Sequence, residues 1–243
     1  MWVIFRKEIS SFFSSITGYL VVSVFLVILG LFMWVFPDSS VLNYNYATLA
    51  QLFDLAPFIF LFLIPAITMR SFSEELNEGT IELLATKPLQ DWKIVMGKFL
   101  GALVVVLFAL LPTLLYFYSV YQLGAPPGNI DTGAVMGSYL GLFLLAASFV
   151  SMGVFASSLT KNQIVAFLLA VLLCFFFYLA FLYLSDLPVF LGKVDDIVQK
   201  IGIDYHYASI SKGLVDTRDI IYFLSLISFF LLSTQISLSS RRW

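Results

Sequence analysis

From Ile164 to Leu184 the chain carries neither a charge nor a proline. Crossing a hydrocarbon core about 30 Å thick takes roughly 20 residues, and this run is long enough. Each Leu, Ile, Phe or Val in it favours insertion by about 0.3–0.6 kcal/mol. In a bilayer no water satisfies backbone N–H and C=O groups, so an isolated segment of this kind must be helical. Five more apolar stretches behave alike. They run from about Gly18 to Phe36, stopped by Pro37-Asp38, and from about Phe53 to Met69, stopped by Arg70. A third extends from near Ile94 to Tyr118, ahead of the breaker Gly124-Ala-Pro-Pro-Gly128, and the others cover Gly133 to Ser157 and Ile220 to Leu238. The sequence therefore predicts an all-α polytopic membrane protein with six transmembrane helices. Composition agrees: 60% of residues are hydrophobic and 12% charged, against about 25% charged in soluble domains. That excludes a disordered chain, a nucleic-acid binder and an ordinary soluble enzyme. The net charge of −2 steers no polyion, and the single cysteine, Cys174, has no partner for an internal disulfide.

The second stretch is the least regular, because it holds Asp54, Pro57 and Pro65. A carboxylate at the bilayer centre costs about 2.5–3.5 kcal/mol. Asp54 lies within a turn of the end, where it reaches headgroups, and is read as interfacial. Basic residues set the orientation. With the N-terminus in the cytoplasm, the inner segments hold Arg6, Lys7, Arg70, Lys87, Lys93, Lys98, Lys161, Arg241 and Arg242. The outer segments hold only Lys193, Lys200, Lys212 and Arg218, all in one loop. The positive-inside rule places both termini in the cytoplasm. The first apolar run is too long for a cleaved signal peptide and is expected to stay in the membrane.

Residues 1–16 form a predicted interfacial helix. Trp2, Phe5, Ile9, Phe12, Phe13 and Ile16 recur at helical spacing, opposite Arg6, Lys7, Ser10 and Ser14. Between the second and third spans, residues 70–93 read as a shaped cytoplasmic segment. Gly79 permits a chain reversal, and Thr80 is placed to cap a short helix from Ile81 to about Thr86. Pro88 stops that helix and Asp91 caps the next. The result is a short helix held between two spans, expected to present Glu74, Glu75, Glu78 and Glu82 to the cytoplasm. The outer loop, residues 185–219, is long enough for two short helices before the last span. One carries an apolar face of Phe190, Leu191, Val194, Ile197, Val198 and Ile201; the other lies around Tyr205 to Lys212. Asp216 or Thr217 is placed to cap the last span. In the fourth span Gly133, Gly137 and Gly141 repeat every four residues, a pattern that lets helices approach closely.

Chemistry of other kinds is missing from the sequence. There is no G-x-x-x-x-G-K-[ST] loop, no H-E-x-x-H and no cysteine pair. The one histidine, His206, is expected at the interface between Tyr205 and Tyr207 rather than in a catalytic role. No catalytic residue, metal site or bound cofactor is predicted, and the spans lack the carboxylates and bases of an ion-coupled transporter.

The segment Arg70-x-Phe72-x-x-Glu75-x-x-x-Gly79-Thr80-x-Glu82-x-Leu84-x-x-x-Pro88, followed by Gly97-Lys98, resembles the signature of the ABC-2 type permease family. The whole predicted plan is similar to that family, as a single transmembrane domain over residues 1–243. The tail resembles the gliding-motility-associated permease branch of bacteria such as the Bacteroidota. It reads Tyr205-His206-Tyr207-x-Ser209-x-x-x-Gly213, then Asp216-x-x-Asp219-x-x-Tyr222-Phe223-Leu224. The resemblance implies the bacterial inner membrane and a permease without catalytic activity. It implies a partner cytoplasmic ATPase that binds ATP and Mg, and a second membrane subunit, which is a homologue, an auxiliary chain with a periplasmic domain, or a second copy. The segment after the second span would be the coupling helix seated in the ATPase. Carried over by position, the match points to Glu75, Gly79, Thr80, Glu82 and Pro88, beside Glu74. Leu76 stands where many members have a basic residue. The competing reading is a membrane anchor or force-transmitting scaffold without a small-molecule substrate.

Overall fold

The computed structural model describes residues 1–43, 46–80, 90–187 and 195–240. Among them every regular element is helical. Helix α1 (Trp2–Phe13) turns at Ser14-Ser15 into α2 (Ile16–Gly30), which a π-helical turn prolongs over Leu31–Val35. Next come α3 (Ala50–Thr68), the short α4 (Ser73–Glu78), and α5 (Asp91–Leu110). Pro112 then separates α5 from α6 (Thr113–Leu123). Helix α7 (Thr132–Leu159) is followed by α8 (Gln163–Phe175), a second π turn at Phe176–Ala180 and α9 (Phe181–Ser185). Two short helices, α10 (Asp195–Gln199) and α11 (Ile203–Ile210), precede α12 (Thr217–Ser239).

Six helical segments are long and apolar enough to span a membrane: residues 18–35, 50–78, 91–123, 132–159, 163–185 and 217–239. They coincide with the six apolar runs of the sequence. Small polar residues start several of them, each satisfying an N–H that the first turn leaves open. The Asp131 carboxylate accepts from Ala134 N–H at 3.0 Å, Asn162 from Ile164 at 2.8 Å, and Asp216 from Arg218 at 2.9 Å. Asp91 departs from expectation: Gln90 holds the cap position, and Asp91 sits in the first turn, where its charge suits the positive end of the helix.

Helix α7 is the centre of the bundle. Its most apolar window is 83% buried, against 22% for the α2 span and 28% for the spans of α8 and α12. Those three therefore form the periphery, where apolar side chains such as Val27, Leu172 and Ile236 face outward as lipid solvates them. Close contacts with α7 depend on missing side chains. A methyl group added at Gly137 would lie 2.8 Å from the Gly213 carbonyl oxygen, and one at Gly141 would collide with Ile210. Both glycines thus receive the end of α11 within this chain. Gly133 has only the Asp131 side chain nearby. At the same end the Tyr207 hydroxyl donates to the Phe53 carbonyl at 2.7 Å, tying α11 to α3.

Candidate functional site

The chain leaves α3 at Thr68 and must turn through Met69-Arg70-Ser71-Phe72 before α4 begins. Six residues are too few to hold a helix by propensity, so the turn is fixed from outside. Ser157, on α7 and fully buried, accepts the N–H groups of Phe72 and Ser73 at 2.9 and 3.0 Å. Its own hydroxyl donates to the Met69 carbonyl at 3.0 Å, and the Ser73 hydroxyl donates to the same carbonyl. One side chain of the central helix thus satisfies two of the open N–H groups at the start of α4. At the other end Gly79 adopts φ +70°, a left-handed conformation that stops the helix and suits glycine. The Thr80 hydroxyl turns back to the Glu75 carbonyl.

Around α4 lies a buried ion cluster drawn from three distant segments. Lys98 of α5 has a side chain only 1% exposed. Its ammonium contacts Glu8 of α1 at 2.8 Å and Glu75 of α4 at 3.0 Å, and donates to the Ser71 carbonyl. It also sits 4.9 Å from the centre of the Phe72 ring, a cation–π contact. The contact between Lys98 and Glu75 Oε2 is one of charge, because no hydrogen bond to that oxygen has acceptable geometry. Lys7 takes the other oxygen of Glu75 at 2.9 Å. Two lysines and two glutamates balance, which is what makes burial of these charges tolerable. Burial alone would lower the pKa of Lys7. The hydrogen bond and charge of Glu75, with the charges of Glu8 and Glu74, outweigh that and raise it, so Lys7 stays charged at physiological pH. Helix α1 reaches the cluster because α5 presents glycines to it. A methyl group at Gly97 would lie 3.1 Å from Ile4 Cβ, and one at Gly101 would lie 2.7 Å from Glu8 Cβ.

The structure separates the residues singled out in the sequence. Glu74 is half-buried on α4, Glu78 and Gly79 are exposed, and Thr80 lies just beyond. Glu75 does not face outward as expected but is 7% exposed and held by two lysines. The acidic residues Glu74, Glu75 and Glu78 lie on a helix that ends at Gly79, not on one that starts after it. Glu82, Pro88 and the helix expected at Ile81 to Thr86 lie outside the described residues. The sequence reading gave no role to Glu8 or Ser157; it used Lys7 only for the polar face of the first helix and for orientation, and Lys98 only for orientation and as part of a motif. The available signal was Lys98 itself, one turn inside an apolar run, where an unpaired ammonium is not tolerated.

At the opposite end of the bundle His206 is not merely interfacial. Its Nδ1 lies 2.7 Å from Asp219 Oδ1, its Nε2 lies 2.9 Å from the Lys200 carbonyl, and its ring stacks on Tyr222 at 3.9 Å. The Tyr222 hydroxyl donates to the Ile201 carbonyl at 2.6 Å. The loop between α10 and α11 is thus fastened to α12 twice. Nearby, burial pushes the Asp204 carboxyl above its ordinary value, and a hydrogen bond from Tyr178 offsets this only in part. No group of three His, Cys, Asp or Glu able to hold a metal occurs among the described residues.

A family model described as ABC-2 family transporter protein matches residues 2–230. No curated protein matches the chain.

Proposed function

The chain belongs to the ABC-2 transporter family, and on that premise we propose that it is the membrane permease of an ATP-driven exporter or gliding-machinery complex, worked by a separate cytoplasmic ATPase. ATP and Mg belong to that partner, and this chain carries no catalytic residue. The excess of basic residues in the segments beside α1 and α4 supports a cytoplasmic location for that end and for both termini, in the bacterial inner membrane.

The observation that carries the reading is the way α4 is mounted. A surface segment that receives force must be stiffly joined to the spans it moves. Glu75 joins α4 to α5 through Lys98, and Ser157 joins it to α7. Lys7 and Glu8 add α1 to the same joint. Glu74, Glu78 and Thr80 lie beside the cluster, and with Gly79 they form the end of α4 that an ATPase groove would engage together with Glu82 and Pro88. Closure of the ATPases would then move α4, α5 and α7 as one body. A second membrane subunit, or a second copy of the chain, completes the core.

The test is made on the purified complex in vesicles. Reversal of both Glu74 and Glu78 to lysine is expected to leave the bundle folded while reducing coupled ATP hydrolysis at least about tenfold; Gly79→Pro, which cannot adopt φ +70°, should lower it too by distorting the end of α4. Full coupling in both variants would remove α4 from the interface. Glu75→Lys is not a clean probe, because it places a third cation in the buried cluster.

The anchor or scaffold reading keeps the same joint but moves no small molecule. It is favoured by several hydroxyls of the spans that are spent on their own helices: Ser148 donates to Leu144, Ser151 to Ser148 and Thr234 to Phe230. Substrate-dependent stimulation of the ATPase distinguishes the readings, since a scaffold shows none.

A further inference from the structure

Between helices α1 to α5, at the end that carries α4, lies a cavity of about 430 Å³, within the range of small-molecule sites. Its two sides differ in chemistry. Leu20, Val21, Ile67, Ala102 and Val105 give one apolar wall. Leu20 is 58% exposed on the outer face of α2, so this wall runs out to the lipid-facing surface. The other side is charged. Lys7, Glu8, Glu75 and Lys98 pair with one another and balance in charge. Arg70, Glu74 and Glu78 also line the cavity and form no ion pair with any described residue. A guest therefore meets one guanidinium and two carboxylates that form no ion pair with a described residue, and an apolar slot open to the bilayer.

That set excludes most amphiphiles. An anionic lipid satisfies Arg70 but sets its charge against two carboxylates. A choline headgroup has the cation but no N–H to donate. A phosphate followed by a primary ammonium meets every requirement: the phosphate takes Arg70 in a forked pair, and the ammonium donates to Glu74 and Glu78. We propose that this cavity binds a membrane amphiphile with a phosphoethanolamine headgroup, its first acyl segment along the Leu20 wall. Arg70 follows directly on the α3 span, so the headgroup would sit at its natural depth. The inference requires only that the chain lies in a bilayer. It does not depend on how α4 meets an ATPase, and its test uses the chain without one.

The full-length chain is purified in mild detergent and titrated with phosphatidylethanolamine, phosphatidylcholine and phosphatidylglycerol of matched chains, with retention read by native mass spectrometry. Phosphatidylethanolamine should be retained at least about tenfold better than either of the others, from two charged hydrogen bonds that they cannot make. The double variant Glu74→Gln, Glu78→Gln lies outside the buried cluster and should fold normally. It is expected to retain phosphatidylethanolamine and phosphatidylglycerol equally, and Arg70→Ala should weaken all phospholipids. Equal retention of the three lipids by the unaltered chain overturns the proposal, as does an unchanged preference in the double variant. Free phosphoethanolamine should compete poorly. If it displaces the lipid at comparable concentration, the site takes a soluble headgroup and the membrane amphiphile is wrong.

Discussion

Replacing Lys98 with methionine keeps the length of the side chain but leaves Glu8 without its cation and takes one of two from Glu75. An uncompensated buried charge typically costs about 3–5 kcal/mol, so a large fall in melting temperature in detergent is expected. Adding Glu8→Gln should restore part of it, because the double variant removes both charges of one pair. Lys7→Met should cost about 1 kcal/mol or less, since its side chain is 61% exposed where that of Lys98 is 1%. Asp204 provides a pH test. Its carboxyl is raised by burial, so the folded protein holds that proton more firmly than the unfolded chain. The stability this contributes is complete below the ordinary value of 3.8 and is lost as pH rises through the folded value. Asp204→Asn should therefore melt above wild type at neutral pH, with the difference closing as pH falls toward 3.8. None of these partnerships was visible in the sequence. Lys98 and Glu8 are 90 positions apart and Lys7 and Glu75 are 68 apart, and helical spacing relates only near neighbours.

At the scale of elements, α4 is the helix least able to stand alone, and Ser157 is what holds its first turn. Ser157→Ala leaves two buried N–H groups without an acceptor, at about 1–3 kcal/mol each if no water replaces it. Hydrogen exchange should show faster exchange at Phe72 and Ser73, while α12 stays protected. Exchange unchanged at those two amides would mean that Ser157 does not hold the turn. The spans themselves were legible, because length and apolarity alone decide them in a bilayer. The π turns at Leu31–Val35 and Phe176–Ala180 and the break at Pro112 left less trace, since packing rather than composition selects them. The acidic segment was found, but its register was not. The expectation attached Glu75 to a helix after Gly79, whereas a hydroxyl 84 residues downstream starts the helix at Ser73.

Across the whole molecule, two polar fastenings lie at opposite ends of a bundle whose centre is α7. One is the lysine–glutamate cluster and the other is the His206–Asp219 pair. If they are independent, deletion of residues 2–13 should expose the amides of α4 and the start of α5 to exchange and leave those of α11 and α12 unaffected. Loss of protection at both ends would show that the bundle melts as one unit. The sequence disclosed the bundle and its six crossings, but neither fastening, because each joins segments that only the folded path brings together. The mounting of Lys98 also bears on synthesis. A chain emerging N-terminus first presents Lys7, Glu8 and Glu75 long before Lys98. During that interval Lys7 and Glu75 can pair, but Glu8 has no cation, and α1 has no Gly97 and Gly101 to lie against. The N-terminal helix can thus settle only once the third span has been inserted in the right direction, so a wrongly threaded third span leaves a loose, charged N-terminus open to proteolytic surveillance.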